Sequence, residues 1–406
     1  MGHPQVKTPN LDRLASQSVL FRRGYVPTAL CRPSLMSLIT GLYASSHGIT
    51  GNDPFGDHRN PNDTDIRESY ISKIDSLATL PKILKEKGYL SHQSGKWWEG
   101  NYKRGGFTHG MTRGYPKKGG RHGDDGLKIG RNGLQPIEEF VDLAESEDRP
   151  FFLWYAPFLP HTPHTPPERY SKMYQGLGIP NRIARYYAMC SWFDETCGQL
   201  VEMLERRGLR ENTLIVYVCD NGWIQDPDSN RYAARSKQTA YDGGVRTPIM
   251  FSWPKRFAAA ERNELCTSLD IFPTILAAAD IRASDGLPGI DLSENMARGT
   301  PIERDAVFGE SFAHDVIDIS DPEVTLLYRW CIQGKWKLLL TYDGTVSRYK
   351  TTHPRTEKRP QLFDLIADPL EKKNLAQDHP QIVSGLAAKI DQWYPVTKRK
   401  VIKKFE

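Results

Sequence analysis

The sequence predicts an α/β fold in which a mostly parallel central sheet is flanked by helices, with a smaller antiparallel subdomain at the C-terminus. Three observations carry this. The runs PFFLWYAPF (150–158), TLIVYVCD (213–220) and TPIMFSWP (247–254) are short, apolar and rich in β-branched or aromatic residues, as strands covered on both faces are. Helical patterns lie between them, and such alternation puts helices on the faces of a sheet. Beyond residue 300 the texture changes to two strands around Gln333-Gly334, a turn and a last helix near 380–393.

Taken in order, Asn10 caps a short helix through LDRLASQ, and Cys31 stands at the mouth of another. TLPKILKEKG (79–88) is an amphipathic helix stopped by Gly88 and followed by the strand YLSHQ. RIARYYAMCSWFDETCGQLVEMLERRG is a long helix closed by Gly208. The segment 104–131 is rich in Gly and charge without a period and reads as a long functional loop. LYRWCIQGKWKLLLTYDG and LFDLIADPLEKKNL then form the C-terminal unit, giving a catalytic α/β domain over 1–300 and a subdomain over 301–406.

With 39% hydrophobic and 25% charged residues, the chain has the composition of an ordered globular protein. Its net charge of +5 is spread over 54 basic and 49 acidic residues, so no single-sign field marks a nucleic-acid binder. KRKVIKK (398–404) reads as a solvated tail. Cysteines 31, 190, 197, 219, 266 and 331 form no close pair, which argues against a zinc ribbon or a dense disulfide framework. No apolar run approaches the roughly 20 residues of a membrane helix, and MGHPQVKTPNLDRLA is not a signal peptide. The chain is expected to be cytoplasmic if Met1 is the true start, and periplasmic or extracellular if a signal precedes it.

In an open α/β sheet, reactive groups gather at the carboxyl ends of the strands. TLIVYVCD ends in Asp220, Asn221 and Gly222, a carboxylate and an amide oxygen suited to calcium or, second, magnesium. Alone, that tripeptide also reads as a metal-free turn. PHTPH (160–164) adds His161 at the same edge, SGKWWEG (94–100) adds Lys96, and SKQTAYDGGVRTP (236–248) adds Lys237. A cation, two ammonium groups and an imidazole make a site for an oxyanion, a sulfate or phosphate group being transferred.

Cys31-Arg32-Pro33-Ser34 followed by Leu38-Ile39-Thr40-Gly41 resembles the signature of the formylglycine-dependent (type I) sulfatases of the alkaline-phosphatase-like superfamily, Cys-x-Pro-Ser-Arg with a Leu-Thr-Gly ending. TPNLDRLA, GLYASSHGI, GKWW, PHTP, DNG, GGVRTP and LFDLIADPLEKKNL resemble the same family in the same order along essentially the whole chain. The resemblance implies that a maturation enzyme oxidises Cys31 to formylglycine, whose hydrate attacks sulfur and later expels sulfate by elimination. It implies Asp220 and Asn221 as metal ligands, Lys96 and Lys237 on the sulfate oxygens, and His161 at the leaving group or substrate. Lys237 is also a candidate for protonating the leaving oxygen. His47 in SSHG is expected to be structural. The implied substrate is a sulfated saccharide, and no nucleic acid or membrane partner is expected.

Three departures qualify the match. The fifth signature position is Leu35 where Arg is usual, with Arg32 as the candidate substitute. The family's Gly-Lys-Trp-His has Trp98 at the last place; His122, or Asp124 and Asp125, is expected to restore the polar contact, or Trp98 to stack on a sugar face. Family members also begin with an apolar strand ending in two metal-binding aspartates, and this chain starts at the segment that follows it. Asp220, Asn221 and residue 31 alone are too few oxygens for tight calcium binding, and a missing first strand leaves a central sheet edge open. Two alternatives therefore stand beside the sulfatase reading: a phosphonate or phosphodiester hydrolase on the same machinery, and an inactive sulfoglycan-binding protein.

Overall fold

In the computed structural model, residues 2–55, 64–342, 347, 349, 357 and 359–396 are described. The chain runs through helix α1 (Pro9–Ser16), strand β1 (Val19–Tyr25), helices α2 (Cys31–Thr40) and α3 (Leu80–Glu86), strands β2 (Leu90–Gly95) and β3 (His109–Gly110), helix α4 (Gln135–Ser146) and strand β4 (Phe151–Ala156). Helix α5 (Asn181–Arg206), strands β5 (Ile215–Tyr217), β6 (Ile249–Ser252) and β7 (Ala260–Thr267), and helix α6 (Ile271–Ala278) follow. Strands β8 (Ala306–Phe312), β9 (Leu326–Gln333), β10 (Trp336–Thr341) and β11 (Gln361–Asp364) and helix α7 (Pro380–Trp393) make up the C-terminal part. KRKVIKK lies outside the described residues.

Strands β3, β2 and β4 form a wholly parallel sheet, with Leu90 opposite Phe151 and Gly95 opposite Ala156. A second sheet has the order β5-β6-β1-β7, in which β1 and β7 are parallel but β6 runs against both of its neighbours. TPIMFSWP is thus an antiparallel member of the sheet. A parallel return needs a crossover, usually a helix packed on the sheet; residues 218–248 hold only the one-turn helix Asp242–Val245. That segment folds back over the strand ends instead.

Two further expectations are corrected. Asn10 is not the cap of α1: the cap is Thr8, Pro9 opens the helix, and the Asn10 side chain donates to Asp194 of α5 at 2.8 Å. Strands β4 and β5 are not covered on both sides, because every residue of each is only partly buried.

Helix α2 is buried along its whole length and ends at Gly41, whose φ of 71° is the left-handed cap that glycine adopts without strain. His47 is structural: its Nε2 lies 3.2 Å from the Ser37 hydroxyl, and burial holds its pKa down to about 3.

The C-terminal sheet, order β11-β10-β9-β8, is antiparallel throughout. Its outer strands escape a pattern reading. In β8 a glycine and a buried glutamate interrupt the alternation, and Gly309 is required because a Cβ there would lie 2.2 Å from the Trp330 ring. The other, β11, lies in LFDLIADPLEKKNL, whose composition marks a turn.

A buried ion triad ties this sheet to the segment over the site. Lys337 of β10, with no exposed side-chain surface, sits 2.8 Å from Asp242 and 2.9 Å from Glu371. Removing one partner leaves two carboxylates uncompensated in the interior. Lys337→Ala is expected to cost about 3 to 5 kcal/mol in denaturant unfolding; a change below about 1 kcal/mol would show that the triad is not closed in solution.

Candidate active site

Strand β1 ends at Tyr25, and the extended residue Leu30 then turns the chain into α2 with Cys31 as its first residue. The free amide groups of a helix start face that position and favour an anion there. Strand β2 delivers Lys96, β4 leads to His161, and β5 leads to Asp220 and Asn221. The segment over the strand ends brings Lys237 from the opposite side.

These groups meet. The Cys31 Sγ lies 2.9 Å from Lys237 Nζ, 3.5 Å from Asn221 Oδ1 and 3.9 Å from Lys96 Nζ. Lys96 Nζ donates to Asp220 Oδ2 at 2.8 Å. Burial by itself pushes the Asp220 carboxyl up, but Lys96 and Lys237 outweigh it and hold the pKa at about 2. Burial pulls Lys96 down, and Asp220 with Cys31 more than restores it, so its ammonium is firmly charged. Two cations against one carboxylate leave the pocket with an excess positive charge.

His161 is held neutral, its pKa lowered to about 2 by burial and then by Lys237 and Lys96. Its Nδ1–H donates to the Thr162 carbonyl at 2.8 Å, so Nε2 is the unprotonated nitrogen. Its ring stacks on Phe158 with centroids 4.5 Å apart. Lys237 is positioned by its neighbour Gln238, which adopts φ 65°, unusual for a side chain with a Cβ, and donates its backbone N–H to the Ala29 carbonyl at 2.8 Å. Nothing in the sequence pattern signals Gln238.

Arg32 is not the substitute for the missing fifth-position arginine. Its guanidinium makes a two-point contact with Glu99 at 2.7 and 2.6 Å, lies over the Tyr70 ring, and is 1% exposed. It is a buried structural cation, and Glu99 is the partner that the sequence reading passed over. Trp98 does not offer a face to a sugar: it is 4% exposed, shares one apolar cluster with Leu35 and Cys31, and its ring contacts His122. Leu35 and Trp98 therefore form one apolar edge beside Cys31. Asp124 and Asp125 do not restore the polar contact. Asp124 accepts from the Gly114 backbone at 2.7 Å, and Asp125 pairs with Lys128 and Arg113 at the surface. His122 does lie at this edge, and its Nδ1 and the Trp98 Nε1 are buried with no hydrogen-bond partner among the described residues.

Asp220 and Asn221 offer oxygen donors of the kind a hard cation takes, but fewer than the six or more it requires. The group Asp53, His314 and Asp315 also has metal-ligand geometry. Asp53, however, already accepts from Arg67 at 3.2 Å and from Arg121 at 2.8 Å. Two guanidiniums neutralise that carboxylate, so the cluster reads as a buried ion-pair network.

An α/β sheet whose strand ends gather a helix-start cysteine, two lysines, an aspartate and an asparagine around an anion pocket defines an ester hydrolase working on an oxyanion group. The sulfatase family model matches residues 1–281, and the chain belongs to that family, whose members are sulfuric ester hydrolases. It is 26% identical to the ulvan-active sulfatase of Formosa agariphila, over 92% of this chain and 73% of that protein. Its fold is that of the crystal structure of Ps i-CgsB in complex with k-i-k-neocarrahexaose, at TM-score 0.74 and 22% identity, covering 99% of this chain and 91% of that one. The phosphonate monoester hydrolase of Agrobacterium radiobacter has the same fold at TM-score 0.69 and 19% identity, covering 96% and 91%.

Proposed function

We propose that this chain hydrolyses sulfate esters of a saccharide, using residue 31 as the nucleophile after its oxidation from cysteine to formylglycine. The observation that carries the reading is the approach of two ammonium groups and an amide oxygen to the Cys31 sulfur. Formylglycine would supply a hydrated aldehyde, one hydroxyl of which is the nucleophile while the second lets the sulfate depart as the aldehyde re-forms, and a divalent cation, calcium before magnesium, would take oxygens from Asp220 and Asn221. The chain's own residues do the rest. Lys96 and Lys237 donate to the sulfate oxygens and stabilise the charge that grows on them in the transition state. Asp220 keeps Lys96 charged and aimed.

A histidine with a pKa near 2 carries no acidic proton at neutral pH. His161 therefore takes or orients a substrate hydrogen bond, and the proton for the leaving sugar oxygen comes from Lys237. Saccharide as substrate class is supported by the ulvan-active relative and by the oligosaccharide in the Ps i-CgsB structure.

Parallel turnover of an aryl sulfate and an aryl phosphodiester, with the chain co-expressed with a formylglycine-generating enzyme, tests the reaction class. The sulfate is expected to be favoured by at least about 100-fold in kcat/KM; equal or reversed preference would select the phosphodiester reading. The apolar edge at Leu35 and Trp98 favours one further reading, a sulfoglycan-binding protein without turnover. That reading requires saturable glycan binding with residue 31 remaining a thiol.

A further inference from the structure

The second histidine of PHTPH has no part in the chemistry above. Among the described residues His164 makes no hydrogen bond, and its Nε2 is shut away from solvent. Its ring lies 5.3 Å from Tyr186 and meets Trp223 edge-on at 6.1 Å, and His161 contacts the same indole at 6.0 Å. Burial first, and then Arg185 and Arg131, lower the His164 pKa to about 4, and no carboxylate opposes them.

Arg185 is exposed on α5. Arg131, at the end of the loop 104–131, has its guanidinium 5.8 Å from the Phe158 ring and 5.7 Å from that of Trp192. Its hydrogen bonds are long, 3.4 Å to the Thr165 hydroxyl and 3.3 Å to the His161 carbonyl, and its Nε is buried without a partner. Burial lowers its pKa and no carboxylate restores it. Arg32 shows what a structural guanidinium takes in this fold, two short bonds to one carboxylate. Neither Arg131 nor Arg185 forms an ion pair among the described residues. Glu168 and Glu195 are taken by Lys172 and Arg169.

Two guanidiniums without a carboxylate, beside a neutral imidazole with an unused N–H, offer charge and donors that suit a carboxylate or a sulfate ester. The patch adjoins the catalytic pocket without being part of it. Lys237 Nζ lies 2.9 Å from the Cys31 sulfur and 5.6 Å over the Trp223 ring, and His164 stands beyond that ring. A sugar unit next to the reacting one reaches it.

We propose that Arg131, His164 and Arg185 form a second anion subsite, which binds a carboxylate or sulfate group on the sugar unit next to the one that loses its sulfate. The chain then selects saccharides with more than one acidic group. This rests on the saccharide reading of the adjoining pocket.

Binding is measured on the full Cys31→Ala chain, where no turnover intervenes, with three probes: cellobiose 6-sulfate, cellobiose 6,6′-disulfate, and the same monosulfate with glucuronate as the neighbouring unit. The two dianionic probes are expected to bind about tenfold more tightly than the monosulfate at low salt, and to lose that advantage at high salt. Whichever of them binds more tightly assigns the subsite to a carboxylate or to a second sulfate. Arg185→Gln, a change at an exposed side chain, is expected to cut the advantage about threefold, and adding Arg131→Gln to remove the rest. Either dianion should also raise the His164 pKa from about 4, read from its imidazole NMR signals, because a bound anion offsets the two arginines.

The proposal is overturned if the three probes bind equally or not at all, or if the advantage survives in the double variant. A dianion preference in a chain whose formylglycine form does not turn over would keep the subsite and remove only the hydrolytic reading. Turnover of a saccharide sulfate with no such preference would do the reverse.

Discussion

Replacing Cys31 with alanine is expected to abolish sulfate-ester turnover, with kcat falling on the order of 10⁴-fold or more, the scale seen when a covalent nucleophile is removed. The fold should survive, because Cys31 is one small member of a large apolar cluster and its closest polar contact is a lysine. Cys31→Ser separates the chemistry from the geometry. A serine at the same helix start keeps an oxygen nucleophile between the two lysines, but a sulfated serine has no second hydroxyl from which sulfate can be expelled. It is expected to release at most one equivalent of alcohol from an aryl sulfate and then stop. Pre-steady-state product release measures this, and continued turnover of the serine variant would exclude elimination as the release step.

The two lysines should divide in an informative way. Lys96→Ala and Lys237→Ala are each expected to lower kcat by about 100- to 1000-fold, the usual effect of removing one donor from a developing oxyanion. Their stabilities should differ. Lys96 holds a buried ion pair with Asp220, whereas the polar contact of Lys237 is the Cys31 sulfur. The Lys96 variant is thus expected to lose about 1 to 3 kcal/mol of stability near neutral pH, because the partly exposed Asp220 carboxylate then keeps only Lys237 nearby. The sign follows from Asp220: its folded pKa of about 2 lies below the ordinary 3.8, so its contribution is present above 3.8 and fades as pH falls through about 2. Without Lys96, its largest source, that contribution shrinks, so the variant should lie closest to the wild type in acid and furthest from it near pH 7. Thermal unfolding from pH 3 to pH 7 checks this, and a Lys237 variant that loses as much stability as the Lys96 variant would contradict the division.

The chemistry was legible where it sits at strand ends. His161, Asp220 and Asn221 follow apolar runs, and a run followed by polar residues marks both the strand and what its tip presents; Lys96 follows the short strand YLSHQ, read from the helix before it. Cys31 and Lys237 needed the ordered motifs, because neither a helix start nor a loop lysine is distinctive alone. Directions of side chains were not legible. Arg32 is a candidate for the missing arginine by position alone, yet Glu99 captures it from a position 67 residues away. A sugar-stacking face for Trp98 is one of two readings its sequence position allows, but it packs in one cluster with Leu35, which stands on another element. The antiparallel course of β6 was hidden because an apolar run carries no direction, and Gln238 because backbone strain leaves no mark in composition.

The measurement closest to the central claim is the mass of the peptide containing residue 31, taken from chain co-expressed with a formylglycine-generating enzyme and treated with a hydrazide that traps aldehydes. An aldehyde at residue 31 is expected, in a fraction that rises in step with sulfate-ester turnover. A residue 31 that remains a thiol in every molecule, with turnover present or absent, would contradict it.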